Sequence, residues 1–140
     1  MKIMLDTNIV LDMIQERHPH YRYSAIVLNE VLAEHLQGFL PGHGITTIYY
    51  LLAKHVEPQK ANASVDWLLA HFDVAAADKA VFLRARRLAF DDFEDAVVAV
   101  LAEVSGCDYT VTRNKPDFEH STIPTLTPEE FVNRYVFITQ

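Results

Sequence analysis

Three short stretches of the chain gather carboxylate and amide oxygens at spacings that could hold a hard cation. They are Asp6-Thr7-Asn8, Asp91-Asp92-x-x-Asp95, and Thr112-Arg113-Asn114 followed by Asp117. Asp92 and Asp95 are three residues apart and share a helix face. Ala99 and Ala102 continue roughly along that face, and their small side chains let the helix lie close to a sheet. Carboxylates brought together repel unless a proton or a cation sits between them. A donor set made only of oxygen suits Mg²⁺ or Mn²⁺. Such an ion lowers the pKa of bound water and stabilises charge on a phosphate. Each group also has a plainer use. Asp6 or Thr7 can cap a first helix, Asp92 and Asp95 can serve as cap and first-turn acid, and Asn114 and Asp117 can be turn residues. Capping accounts for each residue separately, but not for all of them lying at one edge of a sheet.

That shared edge follows from the order of elements. Ile3–Leu5 is a short apolar run, closed by Asp6-Thr7-Asn8 and followed by Ile9, Val10, Met13 and Ile14 at helical spacing, so it reads as strand, turn and helix. Ala25, Leu28, Leu32 and Leu36 form the next stripe, with Gly38 in position to stop it. Phe39-Leu40-Pro41 reads as a second strand, Thr46 to Lys54 as a helix apolar nearly all round, and Val65, Leu68, Leu69 and Phe72 as another helix. Asp73–Ala77 is a weak third strand, and Asp78 caps a helix through Val81, Ala85 and Leu88. Asp92–Val104 is a buried helix ended by Gly106. Tyr109–Thr112 is the fourth strand and Ile123–Leu126 a fifth. Thr127-Pro128-Glu129-Glu130 opens the last helix with a cap, a proline and an acid at the third position. Strands alternating with helices predict a parallel α/β sheet covered on both faces. Ligands of such sheets sit at the carboxyl ends of the strands, where the three acidic stretches fall.

The chain has 140 residues, half of them hydrophobic, which is enough for one domain with a real core, expected to span 1–140. Its net charge of −7 argues against wrapping DNA through a broad basic face, but not against phosphates held through divalent cations. The lone cysteine, Cys107, allows no internal disulfide and reads as a packed thiol in a cytoplasmic protein. The three apolar residues between Lys2 and Asp6 are too few for a signal segment, and no apolar run is long enough to span a membrane. The seven histidines, His18-x-His20 among them, have no zinc spacing, and there is no glycine-rich phosphate loop. Arg84, Arg86 and Arg87 read as a solvated helix face. Trp67 and the Tyr49–Tyr50 pair read as core or interface rather than base-stacking platforms, and Val136, Phe137 and Ile138 as a packed tail.

With these residues in hand the sequence resembles the PIN-domain family, which includes VapC-type toxins. "LDTNIVLD" (5–12) looks like the family's opening strand and Asp-Thr-Asn turn, and "DFEDAVVA" (92–99) like its acidic helix start. "VTRNKPDF" (111–118) is similar to its late strand and loop, and "IPTLTPEEF" (123–131) to its closing strand and helix. The resemblance implies a three-layer α/β/α fold with a parallel sheet of four or five strands in the order 3-2-1-4-5. It implies a Mg²⁺- or Mn²⁺-dependent endoribonuclease, often paired with an antitoxin and often a homodimer. By motif, Asp6 and Asp95 would be metal-site residues with Asp92 beside them, and Asn114 and Asp117 would complete the catalytic site, with Thr112 nearby. Two positions depart from the pattern. Asn114 stands where the family usually has Asp, and "GITTIYYLL" (44–52) has no acid where one is expected, near Tyr49 or Tyr50.

The residues leave other functions open. A PIN-like module that only binds RNA or a protein partner would fit the acid-free 44–52 stretch. A phosphatase using Asp6 as nucleophile would want a second acid two residues on, and Asn8 cannot move that proton. Arg113 and Lys115 are candidates for contacts to an RNA backbone.

Overall fold

The structure is a computed structural model that describes residues 1–136. Its sheet runs β1 (Lys2–Leu5), β2 (Gln37–Pro41), β3 (Asp73–Ala75), β4 (Tyr109–Val111) and β5 (Thr125–Leu126). The helices are α1 (Thr7–Ile14), α2 (Tyr21–Leu32), α3 (Gly42–His55), α4 (Pro58–His71), α5 (Lys79–Arg86), α6 (Phe93–Val104) and α7 (Pro128–Phe131). All strand pairs are parallel and the sheet order is β3-β2-β1-β4-β5, as the resemblance implied. Among the described residues, no helix is long and apolar enough to cross a membrane.

The alternation of β1 divides the core into two layers. Ile3 and Leu5 point to one face, where α1 to α4 and α7 supply Ile9, Val27, Ile48, Leu68 and Phe131. Met4 points to the other, against the run Ala96–Ala102 of α6 and Val81 and Ala85 of α5. A strand buried on both faces must be apolar throughout, which is why β1 shows no polar alternation. The chain builds outward from β1 through β2 to β3, then crosses back to lay β4 on the other side of β1. The switch point therefore lies between the ends of β1 and β4, where an α/β sheet opens a crevice.

Several local expectations hold at residue resolution. Asp78 and Asp92 cap α5 and α6 by accepting from the Val81 and Asp95 N–H groups, each at 3.0 Å. Thr127 and Glu130 form a reciprocal capping box. Gly106, at φ +71°, ends α6 with Cys107 N–H reaching back to the Ala102 carbonyl, a left-handed stop that glycine adopts without strain. Cys107 is buried, and burial pushes its thiol up to about 11, as befits a packing residue.

Other expectations are corrected. Gly38 is not a helix stop: α2 ends at Leu32, and Gly38 lies inside β2. Its missing side chain is a packing requirement, because a Cβ there would stand 2.8 Å from the Phe72 ring. Leu36 accordingly packs from the connection before β2 rather than from a helix. The third and fifth strands are shorter than expected, stopping at Ala75 and starting at Thr125. Helix α3 is not apolar all round. Gly44, Ile48 and Leu52 face inward, while Tyr49 and Tyr50 are exposed, so the core expectation holds for Trp67 and not for the tyrosines. Val136 is buried; Phe137 and Ile138 lie outside the described residues.

Candidate active site

An open acidic cleft of about 360 Å³ lies at the switch point, lined by Asp6, Thr7, Asn8, Leu11, Asp91, Asp92, Glu94, Asp95, Asn114 and Asp117. The structure thus brings together all five residues expected at a catalytic site: Asp6, Asp92, Asp95, Asn114 and Asp117. Asp6 ends β1, and its backbone begins α1, but its carboxylate does not cap that helix. It is buried instead and accepts hydrogen bonds from the Thr112 hydroxyl at 2.7 Å and the Asn8 amide at 3.3 Å. Thr112 sits just past β4, so this bond ties the two strand ends together across the crevice. The same hydroxyl accepts from the Asn114 N–H at 3.1 Å, and the Asn114 carbonyl accepts from the Asp117 N–H at 2.9 Å. A continuous set of bonds therefore runs from Asp6 through the loop that carries Asn114 and Asp117.

Asp92 and Asp95 arrive differently. Asp92 is the cap of α6, in extended backbone, with Oδ1 occupied by the Asp95 N–H. Asp95 lies in the first turn beside Glu94, and the start of the helix carries partial positive charge that favours anions. That help is not enough. Burial pushes the Asp95 carboxyl up to about 7, and the charges of Asp6, Asp92, Asp117 and Glu94 add to it. Burial also raises Asp6, against the opposing pull of Thr112, Thr7, Arg113 and His43. This is a cluster in which the last acid to ionise needs a proton or a cation.

The donor set is oxygen only, which suits a hard divalent cation. Among the described residues, no three His, Cys, Asp or Glu side chains already stand as a metal cage. An ion held by one or two carboxylates plus water and substrate oxygens, the habit of Mg²⁺, fits these residues.

Two further residues of the site lie inside the quoted motifs, which give them no role of their own. Glu94 lines the cleft between the two expected acids of α6. Asp12, on α1, is fully buried, and its Oδ2 lies 2.7 Å from Arg113 Nε, between the loop residues Thr112 and Asn114. His20 and Arg17 add their charges to that of Arg113 around this buried carboxylate. Arg113 is thus engaged inward, and Lys115 pairs with Glu130 at 3.0 Å on the surface. Helix α3 gives the cleft no acid. Its nearest polar contribution is His43, whose Nε2 lies 3.7 Å from Glu94 Oε1.

The comparisons with known proteins agree with this architecture. The profile of the PIN domain family matches residues 2–116. Ribonuclease VapC1 of Aquifex aeolicus is 30% identical over 139 residues, which cover 96% of this chain and 95% of that protein. Among solved structures, VapBC2 of Rickettsia felis bound to a promoter DNA fragment matches with a TM-score of 0.71 at 18% identity, over 91% of this chain and 98% of its own. A toxin–antitoxin complex from Klebsiella pneumoniae matches with a TM-score of 0.67 at 20% identity, over 90% of this chain and 97% of its own. At those identities the structures speak for the fold, and the family match with the VapC1 identity speaks for descent. The chain belongs to the PIN domain family.

Proposed function

We propose that this protein is a Mg²⁺- or Mn²⁺-dependent endoribonuclease, the toxin of a cytoplasmic toxin–antitoxin pair, acting as one domain over 1–140 and as a homodimer. The observation that carries the reading is Asp95, a carboxyl held near 7 by burial and four neighbouring acids in an open cleft. A fold does not keep such repulsion for stability's sake, and perturbed acids of this kind cluster at functional sites. The name of the VapC1 relative supports RNA as substrate, and the toxin–antitoxin complex supports an antitoxin partner.

Asp6 and Asp95, with Asp92 beside them, would hold the ion directly or through water. Bound there, it supplies charge neutralisation at a phosphate oxygen and a lowered pKa for the attacking water. The Thr112 hydroxyl and the Asn8 amide fix the Asp6 carboxylate in one orientation. Asn114 and Asp117, on the lip tied to Thr112, orient water and substrate oxygens. The test is an RNase assay with and without Mn²⁺. Cleavage that needs the ion and disappears in Asp6→Asn is expected; cleavage retained in that variant overturns the mechanism.

A second reading has one observation in its favour, the acid-free inner face of α3. It would make the protein a PIN-like module that binds RNA or a protein without cutting. Calorimetry separates the two, since a binding module takes up no Mn²⁺ at millimolar ion even with RNA present.

A further inference from the structure

Next to the acidic cleft, and sharing Glu94 with it, is a smaller apolar hollow of about 190 Å³ lined by His43, Phe82, Phe93, Glu94 and Val97. It brings together the first turn of α3, the middle of α5 and the start of α6. Phe82 and Phe93 are 42% and 44% exposed, with ring centroids 6.2 Å apart and planes inclined by 36°. Two large aromatic faces left half in water beside a cleft are unfavourable unless something covers them. His43 Nε2 is buried without a hydrogen-bond partner, its distance to Glu94 being too long for one. The Arg86 guanidinium, at the end of α5, stands 5.8 Å over the Phe93 ring, while Arg84 on the same helix pairs with Glu103.

The ligand that satisfies all of these has an apolar π-face, a polar edge and an anion attached to it. The hollow has the volume of about six waters, room for one ring system rather than for a helix. We propose that it is a subsite for a nucleobase of the same strand whose phosphate occupies the acidic cleft, which rests on the ribonuclease reading above. The base stacks on Phe82 and Phe93 and presents its edge to the exposed Glu94 carboxylate beside the His43 ring. Arg86 lies alongside the strand, supplying the cationic contact that the acidic cleft lacks. Stacking on an aromatic side chain tolerates any base, because every base has a π-face. The edge contacts are where a preference among bases would arise.

The test uses a short single-stranded oligoribonucleotide in Mn²⁺, together with a series carrying one abasic residue at successive positions. Phe82→Ala/Phe93→Ala should raise KM by about 10- to 100-fold, the range for loss of one stacked base, with a much smaller fall in kcat. Phe93→Tyr, which keeps the ring, should restore KM. One abasic position should reproduce the loss in the unaltered protein and add nothing further in Phe93→Ala, a comparison that does not depend on how the double variant folds. An unchanged KM in the double variant, with no position sensitive to base removal, overturns the subsite and leaves the ribonuclease reading standing. An unchanged KM with loss of self-association assigns the face to a second copy of the chain and also overturns it. If the unaltered protein cuts no RNA in Mn²⁺, the underlying reading fails and the subsite fails with it.

Discussion

Asp95→Asn should stabilise the ion-free protein, and should do so only above the pH at which a free carboxyl ionises. In the folded chain Asp95 is pushed up to about 7 from an ordinary 3.8, by burial first and then by its acidic neighbours. In the unfolded chain it loses its proton near pH 4. Between roughly pH 4 and 7 the folded state therefore binds more protons than the unfolded state, and stability falls as pH rises. Below that window both states are protonated and the penalty vanishes; above it the penalty is complete. A dry carboxyl so displaced would cost about 4 kcal/mol, at about 1.4 kcal/mol per pH unit. Asp95 borders an open cleft where water screens the repulsion, so about 1–2 kcal/mol is the expected effect.

Asparagine keeps the shape and removes the charge. In a chain of this size about 1–2 kcal/mol corresponds to a Tm about 3–6 °C higher. Thermal melts in a chelator should show that gain in full near pH 8 and almost none of it near pH 4. Added Mn²⁺ should reverse the ranking, raising the Tm of the unaltered chain most above neutrality and that of the variant far less. A gain equal at every pH, or a variant less stable near pH 8, would mean that the acids of the cleft do not repel one another in the folded chain.

Three other perturbations probe how the cleft is built. Thr112→Val removes the 2.7 Å bond to Asp6 and the acceptor of the Asn114 N–H. It should weaken Mn²⁺ activation about 10- to 100-fold, read as the ion concentration for half-maximal cleavage, and an unchanged value would sever Thr112 from the site. Asp12→Ala leaves the Arg113 guanidinium unpaired and should cost about 3–5 kcal/mol in urea unfolding, whereas Asp12→Leu with Arg113→Met should recover most of that. Recovery is expected because burial raises the Asp12 carboxyl even beside Arg113, His20 and Arg17, so the pair is not a net stabiliser. Gly44→Ala puts a Cβ 2.6 Å from the Thr7 hydroxyl and Gly38→Ala puts one 2.8 Å from the Phe72 ring. Each should cost about 1–3 kcal/mol by overpacking, but only Gly44→Ala, which presses on the cleft wall, should also lower kcat.

The parts of the site legible in the sequence are those built locally. A strand end passing into a helix start made Asp6 visible, and an acid-rich turn before a buried helix did the same for Asp92 and Asp95. Gly38 misleads in the sequence because glycine has two uses, and a stripe ending near it suggests a helix stop. Only the position of Phe72, brought close by the pairing of β2 with β3, reveals that the glycine clears space. Asp12 shows no role of its own in the sequence for a related reason. It sits in "VLDMI" with no charged neighbour, and its partner Arg113 lies far along the chain on a strand end that the β1–β4 pairing brings near.

The acid missing from α3 acquires a different meaning in three dimensions. Tyr49 and Tyr50, the residues nearest its expected place, face solvent and cannot substitute for it. What α3 brings toward the cleft is its first turn, with His43 against Glu94 and with Gly44 allowing the helix to begin against Thr7. Yet the cleft is not short of charge, since Asp6, Asp91, Asp92, Glu94, Asp95 and Asp117 all line it. The negative charge is concentrated on the approach to α6 and its first turn, where the positive end of the helix offsets part of the repulsion. On the α3 side the cleft therefore meets no carboxylate of α3 itself; it adjoins, through Glu94, the hollow that His43 shares with Phe82 of α5 and Phe93 of α6.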